Sequence, residues 1–147
     1  MKLSTRGRYG TRALLDLTLQ GGSTPISLRD ISQRQQIPLH YLEHLIKPLI
    51  AGGLIRSMRG PRGGILLAKP PEKIRLDEII HLLEGTATYA ECIDDPGICP
   101  RSETCATRDV WSEMETAING VLGNITLLDL AERQKNKEQI KELMYYI

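Results

Sequence analysis

Three cysteines lie on one short stretch of the chain, and they are the side chains best suited to bind a metal. They are Cys92, Cys99 and Cys105. Thiolates are the soft ligands that zinc and iron–sulfur clusters prefer. The C-x6-C-x5-C spacing differs from the closely spaced cysteine pairs of zinc fingers and from the C-x-x-C pair of thiol oxidoreductases. Spacing alone leaves two interpretations open: an iron–sulfur site, or three unrelated loop thiols.

The surroundings of the cysteines argue against two other chemistries. Residues 94–103 are rich in acidic residues, proline and glycine, so the segment is a poor place to bury thiols in a core. An odd number of cysteines in a reducing compartment favours a metal or redox role over a disulfide framework. No histidine is near in sequence, and the strand-turn-helix pattern of a catalytic cysteine is absent, so an enzyme is not expected.

A second candidate site is the segment from Arg59 to Gly64, which reads Arg-Gly-Pro-Arg-Gly-Gly. Glycine permits a tight turn and a close approach of the backbone to phosphate. The side chains of Arg59 and Arg62 suit the narrow, electronegative minor groove of DNA. The alternative is an ordinary hairpin whose arginines face solvent.

The helix predicted over residues 38–50 has an apolar face for the core and a polar face opposite. The polar face carries His40, Tyr41, Glu43, His44 and Lys47. Glu43 could accept a hydrogen bond from cytosine N4, and the histidines or the tyrosine could reach bases or phosphates. Taken alone, this pattern favours a surface helix with a mixed polar face over a DNA-reading helix.

The charge of the chain is divided between its two halves. Residues 1–75 hold 13 Lys and Arg against 4 Asp and Glu, and residues 76–147 hold 6 against 14. The formal net charge of +1 conceals this division. A basic half is typical of a nucleic-acid-binding module, and it coincides here with the polar helix and the basic hairpin. Together these features predict DNA binding.

The order of elements in the first half is that of a winged helix-turn-helix. Helical spacing predicts helices over 4–20, from 27 and over 38–50, and short strands over 54–57 and 65–68. Ser4 and Ser27 are suited to cap the first two helices, while Pro48 predicts a kink or an early end of the third. We expect residues 1–75 to form the DNA-binding domain.

The second half, residues 76–147, is predicted to be helical apart from the cysteines. A helix over 76–83 precedes a cysteine loop over 85–105, and a long helix over 106–123 follows. One stripe of the long helix is apolar and comprises Val110, Met114, Ala117 and Val121. A short helix over 126–132 and a weakly amphipathic helix up to Ile147 complete a mainly α fold.

The chain shows no sign of membrane insertion. Lys2, Arg6, Arg8 and Arg12 interrupt the only candidate signal sequence, and no stretch approaches the roughly 20 apolar residues of a membrane helix. We expect a soluble cytoplasmic protein without a membrane partner.

The motifs resemble those of the IscR-type iron–sulfur regulators, which belong to a winged-helix family that also includes NsrR-type nitric-oxide sensors and CymR-type cysteine regulators. The resemblance covers roughly residues 1–130. It rests on Met1–Tyr9, Asp30-Ile31-Ser32, Tyr41-Leu42-Glu43, Gly53-Leu54-Ile55, Arg59-Gly60-Pro61, Gly63-Gly64, the three cysteines, Trp111 and Asn124–Leu127.

This resemblance implies a transcriptional regulator that controls iron–sulfur biogenesis genes in response to its own cluster. It implies a homodimer on pseudo-palindromic double-stranded promoter DNA, with the helix over 106–123 paired across the dimer. It places Glu43 on bases, Arg59 in the minor groove and a 2Fe–2S cluster on Cys92, Cys99 and Cys105. The alternative is a nitric-oxide or redox-sensing repressor on the same scaffold.

The chain departs from the family pattern at the fourth cluster ligand. Arg108 stands where IscR-type proteins have a histidine, and arginine stays protonated in proteins, so it cannot ligate iron. The ligand must then be a distant histidine, a group of the partner subunit, or a carboxylate from Glu91, Asp94, Asp95, Glu103 and Asp109. A 4Fe–4S cluster with an open or oxygen-ligated iron is the other possibility, although the acidic first-helix ligand of NsrR-type proteins would fall near Arg8. Pro38 and His40 replace typical serines, which leaves room for a different operator preference.

Overall fold

A computed structural model describes residues 2–85 and 88–146 of the chain. Met1 of the opening motif, residues 86–87 of the predicted cysteine loop and Ile147 lie outside the described residues. The described elements, in chain order, are α1 (Thr5–Gln20), α2 (Leu28–Gln35), α3 (Leu39–Ala51), β1 (Ile55–Met58), β2 (Gly64–Leu67), α4 (Leu76–Glu84), α5 (Glu91–Asp94), α6 (Ala106–Gly123) and α7 (Leu127–Tyr145). No helix within these ranges is long and apolar enough to span a membrane.

The first three helices form the predicted helix-turn-helix, and side-chain caps define its start. Ser4 Oγ accepts a hydrogen bond from Gly7 N at 3.3 Å, and Ser27 Oγ accepts one from Asp30 N at 3.1 Å. Gln36 ends α2 in a left-handed conformation, with φ of 53°. The buried side chain of Ile37 then fixes the turn before α3.

The sequence predicts that Pro48 kinks α3 or ends it early. The early end is wrong, because the helix continues to Ala51. Pro48 removes one N–H donor late in the helix, where few turns remain to be affected. The flanking side chains of Ile46 and Leu49 are buried in the core, and their packing stabilises the last turn. Gly52 caps the helix, as the sequence predicts.

The wing is an antiparallel hairpin in which Ile55 pairs with Leu67 and Met58 with Gly64. The sequence did not reveal a third extended segment, in which Ile26 pairs with Ile65 through two backbone hydrogen bonds of 2.9 and 2.8 Å. A Cβ at Gly64 would lie 2.4 Å from the carbonyl oxygen of Ile26, so only glycine fits beside this backbone. The wing is therefore attached directly to the residues that precede α2.

One hydrophobic core extends across both halves of the chain. Its largest fully buried side chains are Leu14, Leu17, Ile31, Ile37, Leu42, Leu45, Leu49, Leu54, Ile74, Ile79, Leu83 and Leu127. Residues on α4 and at the start of α7 thus pack with those of the helix-turn-helix. A domain boundary at residue 75 stays a prediction, but the two sides of it share this core.

Helix α7 is longer than the sequence suggested. We expected a short helix and then a separate weak one, whereas a single helix runs from Leu127 to Tyr145. Thr126 and Asp129 form a reciprocal capping box at its start. The helix contains neither glycine nor proline, so nothing in its backbone interrupts it despite its weak apolar pattern.

The stretch that carries the three cysteines, residues 88–105, is called the cysteine segment. It contains more secondary structure than the loop that the sequence predicts. It contains the short helix α5 and two single-turn 3-10 helices, Pro96–Ile98 and Ser102–Thr104. Proline, glycine and serine favour such tight turns, which lack the hydrophobic periodicity that marks a longer helix.

An ion pair between a buried carboxylate and a partly exposed guanidinium joins α1 to α2. Asp16 is only 2% exposed, and its carboxylate accepts hydrogen bonds from Arg34 Nε at 3.0 Å and Nη2 at 2.7 Å. Gln35 Nε2 donates a further hydrogen bond to Asp16 at 3.0 Å. Hydrogen bonding to Asp16 raises the pKa of Arg34 above its ordinary value, against the opposing effect of burial. The pair fixes the angle between the first two helices.

We expect Arg34→Met to destabilise the fold more than Asp16→Asn. Removing Arg34 leaves a buried carboxylate without its cation, at a cost of about 3 kcal/mol. Asn at position 16 would retain a partner in Gln35, and the Arg34 side chain, already 36% exposed, would reach water, so the cost should be about 1–2 kcal/mol. Urea denaturation followed by circular dichroism measures both values. The reverse order would mean that the buried carboxylate of Asp16 does not depend on Arg34.

Candidate nucleic-acid interface and cysteine segment

The polar face of α3 is presented to solvent as a continuous surface. His40, Glu43, His44 and Lys47 are all exposed, while Leu42 and Leu45 on the opposite side are buried. The core therefore holds the helix in place and leaves four of the five predicted reading residues free of it. Such a face has the geometry of a recognition helix.

Tyr41, the fifth predicted residue, is partly buried and packs against the core. Its ring meets the ring of Tyr9 on α1 edge to face, with centroids 6.0 Å apart. The guanidinium of Arg12 lies 5.4 Å from the Tyr9 ring, a cation–π distance. Tyr41 thus joins the recognition helix to α1, a contact that helical spacing alone could not reveal.

Three side chains on the exposed face of α3 are close to one another. The Nε2 atoms of His40 and His44 lie 3.3 Å apart, and Nδ1 of His40 lies 3.8 Å from a carboxylate oxygen of Glu43. The His40 side chain is 86% exposed and that of Glu43 is 52% exposed. Each side chain remains accessible to a ligand or to DNA.

The wing presents its arginines at a tight turn. Gly63 N donates to Gly60 O at 2.9 Å, which closes a β-turn with Pro61 and Arg62 at its centre. Gly60 has φ of 112°, a conformation that favours glycine. Both Arg59 and Arg62 are exposed there, as the sequence predicts.

The three cysteines lie at three different elements of one segment. Cys92 is on α5, Cys99 follows the first 3-10 turn, and Cys105 precedes the first residue of α6. All three are free and partly exposed.

Ser102, which the sequence did not single out, holds the middle of this segment. It is buried, and its hydroxyl is 2.6 Å from the carbonyl oxygen of Pro96 and 2.8 Å from that of Cys99. Arg108 holds the start, because its Nε donates to the carbonyl oxygen of Cys92 at 2.7 Å. Arg108 therefore has a backbone partner within this segment.

The donor chemistry of the segment suits an iron–sulfur cluster, but its donors are not gathered. Among residues 2–85 and 88–146, no three His, Cys, Asp or Glu side chains are placed to hold a metal ion. A cluster held by all three thiols therefore requires the segment to close around it. Neither α5 nor the 3-10 turns contribute a residue to the central core, so closure would leave that core intact.

Cys105 is the thiol whose surroundings favour the charged form. Its sulfur is 3.2 Å from the hydroxyl of Thr107. This hydrogen bond is the main reason why the pKa of Cys105 lies below its ordinary value, and the backbone N–H of Arg108 contributes in the same direction. Desolvation of the thiolate opposes them, and the charge of Asp109 opposes them to a lesser extent. A thiolate is the form that binds a metal.

Residues 3–133 match the model of a family described as Rrf2, iron-dependent transcriptional regulator. The chain is 43% identical to Protein rrf2 of Nitratidesulfovibrio vulgaris, over 88% of this chain and 87% of that protein. It is 38% identical to the transcriptional regulator IscR of Cronobacter sakazakii, over 93% of this chain and 90% of that protein.

The fold matches that of a solved transcription factor. The structure of CymR, the global cysteine regulator of B. subtilis, superposes with a TM-score of 0.78 and 37% sequence identity, covering 90% of this chain and 98% of CymR. This match confirms the predicted mainly helical winged-helix fold.

In the metal-free protein, Cys105 should be alkylated by iodoacetamide at a lower pH than an ordinary thiol. A lowered pKa leaves more thiolate at neutral pH, and thiolate is the reacting species. Thr107→Val removes the hydrogen-bonding hydroxyl and should move the rate profile of Cys105 to higher pH. Thr104→Val is the matched control and should leave it unchanged. Peptide mass spectrometry assigns the rate to Cys105, and identical profiles for all three proteins would refute the role of Thr107.

Proposed function

The chain belongs to the Rrf2 family of iron-dependent transcriptional regulators, and from this we propose that it controls iron–sulfur biogenesis genes in response to its own bound cluster. It is a DNA-binding regulator and not an enzyme, like the relatives that it matches. The observation that carries the proposal is that one chain combines an exposed basic reading surface with three accessible thiols on a single segment.

The proposed DNA interface consists of the exposed face of α3 and the tip of the wing. His40, Glu43, His44 and Lys47 would enter the major groove, with Tyr41 orienting the helix from behind through Tyr9. Arg59 and Arg62 would lie along the adjacent minor groove. Glu43 acts as much by repelling wrongly placed acceptors as by accepting from cytosine.

Arg59→Ala should weaken binding to DNA recovered by randomised-site selection with the native protein. We expect a loss of about 10-fold, about 1.4 kcal/mol, and a larger loss on A·T-rich than on G·C-rich flanks, because an A·T-rich minor groove is narrow and strongly negative. Arg101→Ala, which removes the same charge from an exposed site on the cysteine segment, is the control. Gel-shift titration measures both, and equal affinities for Arg59→Ala and the native protein on both flanks would remove Arg59 from the interface.

We propose that the protein acts as a homodimer paired through α6. None of the 18 residues of this helix is buried. Ile118 and Leu122 line a groove with Leu3 and Ile80. In the neighbouring stripe, Val110, Ala117 and Val121 are exposed and Met114 is partly exposed. Val110 is 53% exposed and Val121 is 60% exposed, which is unusual for valines on a long helix. A second copy of this stripe would cover them in a two-fold arrangement.

Val121→Glu should convert the dimer to a monomer, because it buries an unpaired charge in the proposed apolar seam. Thr116→Glu introduces the same charge on an exposed part of the same helix outside the stripe and should leave the dimer intact. Sedimentation velocity distinguishes the two states, and circular dichroism verifies that both variants fold. A native protein that sediments as a monomer at micromolar concentration would disprove the dimer.

The proposed cluster ligands are Cys92, Cys99 and Cys105, and a 2Fe–2S cluster is our first choice. The cluster would supply sensitivity to iron supply and oxidation. If the cluster binds one arrangement of the cysteine segment more tightly than another, it would shift the protein towards that arrangement. The free energy of this shift is at most the difference between the two binding free energies. Cys105 is the ligand best prepared for this role because its thiolate is already stabilised.

The position of Arg108 favours a second candidate function. Its guanidinium is held by the carbonyl oxygen of Cys92, so the fourth iron position has to be filled by a carboxylate, a distant histidine, a partner residue or a small molecule. A 4Fe–4S cluster with one exchangeable iron position would suit a nitric-oxide or redox-sensing repressor. Identifying the fourth ligand therefore decides between the two functions.

Single substitutions Cys92→Ala, Cys99→Ala and Cys105→Ala should each remove the visible absorbance of anaerobically reconstituted protein. The thiols lie outside the central core, so helical content should be nearly unchanged. Arg108→Ala should keep the absorbance, because a guanidinium offers no lone pair to iron. Iron and sulfide analysis separates an iron–sulfur cluster from zinc. Full native iron and sulfide content in all three cysteine variants would end the cluster proposal.

A further inference from the structure

Helix α3 carries two histidines whose Nε2 atoms lie within hydrogen-bonding distance of each other. His40 and His44 are one helical turn apart, and their Nε2 atoms are separated by 3.3 Å. The two rings are nearly perpendicular, with centroids 4.7 Å apart. Both side chains are on the exposed face of α3, outside the core and far in sequence from the cysteine segment.

This separation is the one that a metal ion requires of two neighbouring ligands. Two imidazole nitrogens bound to Zn²⁺ at about 2.0–2.1 Å, with a tetrahedral angle between them, lie about 3.3 Å apart. Imidazole suits Zn²⁺ and related first-row divalent ions. We propose that His40 and His44 form a bidentate site for a divalent transition metal, with Zn²⁺ as the ion of choice.

Glu43 supports the site from behind. Its carboxylate lies 3.8 Å from Nδ1 of His40, the ring nitrogen on the far side from His44. The two atoms are too far apart for a hydrogen bond, but a small rotation of the exposed Glu43 side chain would bring the carboxylate within reach of Nδ1. An outer carboxylate in that position favours the tautomer with the proton on Nδ1, leaves the Nε2 lone pair for the metal and orients the ring.

The helix backbone beneath the site is already rigid. Leu42, between the two histidines, is fully buried, and Leu45 after His44 is 2% exposed. Only the two histidine side chains lose freedom on binding, which lowers the entropic cost of forming the chelate. Because no third ligand side chain is placed with them in the described part of the chain, water would complete the coordination. Such a site exchanges its ion readily.

The location of the site couples Zn²⁺ binding to DNA binding, an inference that rests on the proposed function. The nitrogens that would bind Zn²⁺ belong to side chains of the reading face, so an ion there removes them from base contacts. Zn²⁺ and operator DNA should therefore compete. By thermodynamic linkage, DNA should weaken Zn²⁺ binding by the same factor by which Zn²⁺ weakens DNA binding.

Histidine-detected NMR on the full chain tests the metal site without interference from the thiols. The chain has only three histidines, so the imidazole signals of His40, His44 and the exposed His81 on α4 can be followed separately during a Zn²⁺ titration. We expect His40 and His44 to shift together and saturate before His81 responds. His40→Gln should abolish the shift of His44. Glu43→Gln should lower the Zn²⁺ affinity of the site about 10-fold.

Two controls complete the experiment. His81→Gln should leave the shifts of His40 and His44 unchanged, and circular dichroism should show that His40→Gln and His44→Gln fold normally, since both positions are exposed. Parallel shifts of all three histidines, or an unaltered His44 response in His40→Gln, would overturn the metal site.

A gel-shift titration with and without Zn²⁺ tests the link to DNA. Zn²⁺ should weaken binding by the native protein and a chelator should restore it. His40 belongs to the proposed reading surface, so His40→Gln is compared with its own zinc-free affinity, which Zn²⁺ should leave unchanged. Equal sensitivity of the native protein and His40→Gln would overturn the link while leaving the metal site intact. A protein that binds no DNA under any condition would instead refute the proposed function, and the NMR result would stand.

Discussion

The close approach of α1 to α4 is the constraint on which the rest of the structure depends. A Cβ on Gly7 would lie 2.4 Å from Glu84 Oε1, and one on Gly10 would lie 2.3 Å from Leu83 Cδ1. Glu84 uses this proximity to accept hydrogen bonds from the Ser4 hydroxyl and from Gly7 N, so a carboxylate sits at the positive end of the α1 dipole. The basic and acidic halves of the chain are thereby joined at this helix pair, in addition to the core contacts made by α7.

Much of this architecture could be predicted from local sequence. Apolar residues at helical spacing placed α1, α3 and α6, and the glycines around Pro61 marked the turn of the wing. Three cysteines on one segment were visible for the same reason, since a ligand set that is contiguous in sequence needs no knowledge of the fold. The exposed positions of Glu43 and Lys47 also follow from the polar face of the helix, and that of Arg59 follows from its place at the turn.

The remaining features depend on contacts between distant segments, which no local pattern encodes. Asp16 is an acidic residue in a basic domain, and only the approach of Arg34 on α2 explains why it is buried. Tyr41 has the helical position of a surface residue, but the ring of Tyr9 covers it. The pairing of Ile26 with the wing adds a strand that is a single residue long, too short to leave a signal.

The pairing of Ile26 with Ile65 also restrains the position of the wing relative to α3. Because Ile26 immediately precedes the cap of α2 and is hydrogen-bonded on both sides to Ile65, the wing cannot swing independently of the helix-turn-helix. Arg59 and the exposed face of α3 are then held in a fixed relative position. In the proposed interface they would contact a minor-groove site and a major-groove site at a fixed offset along the duplex. Inserting a single base pair between those two sites would rotate one contact away from the protein, so the proposed interface makes the spacing within each half-site constrain the operator as much as base identity does.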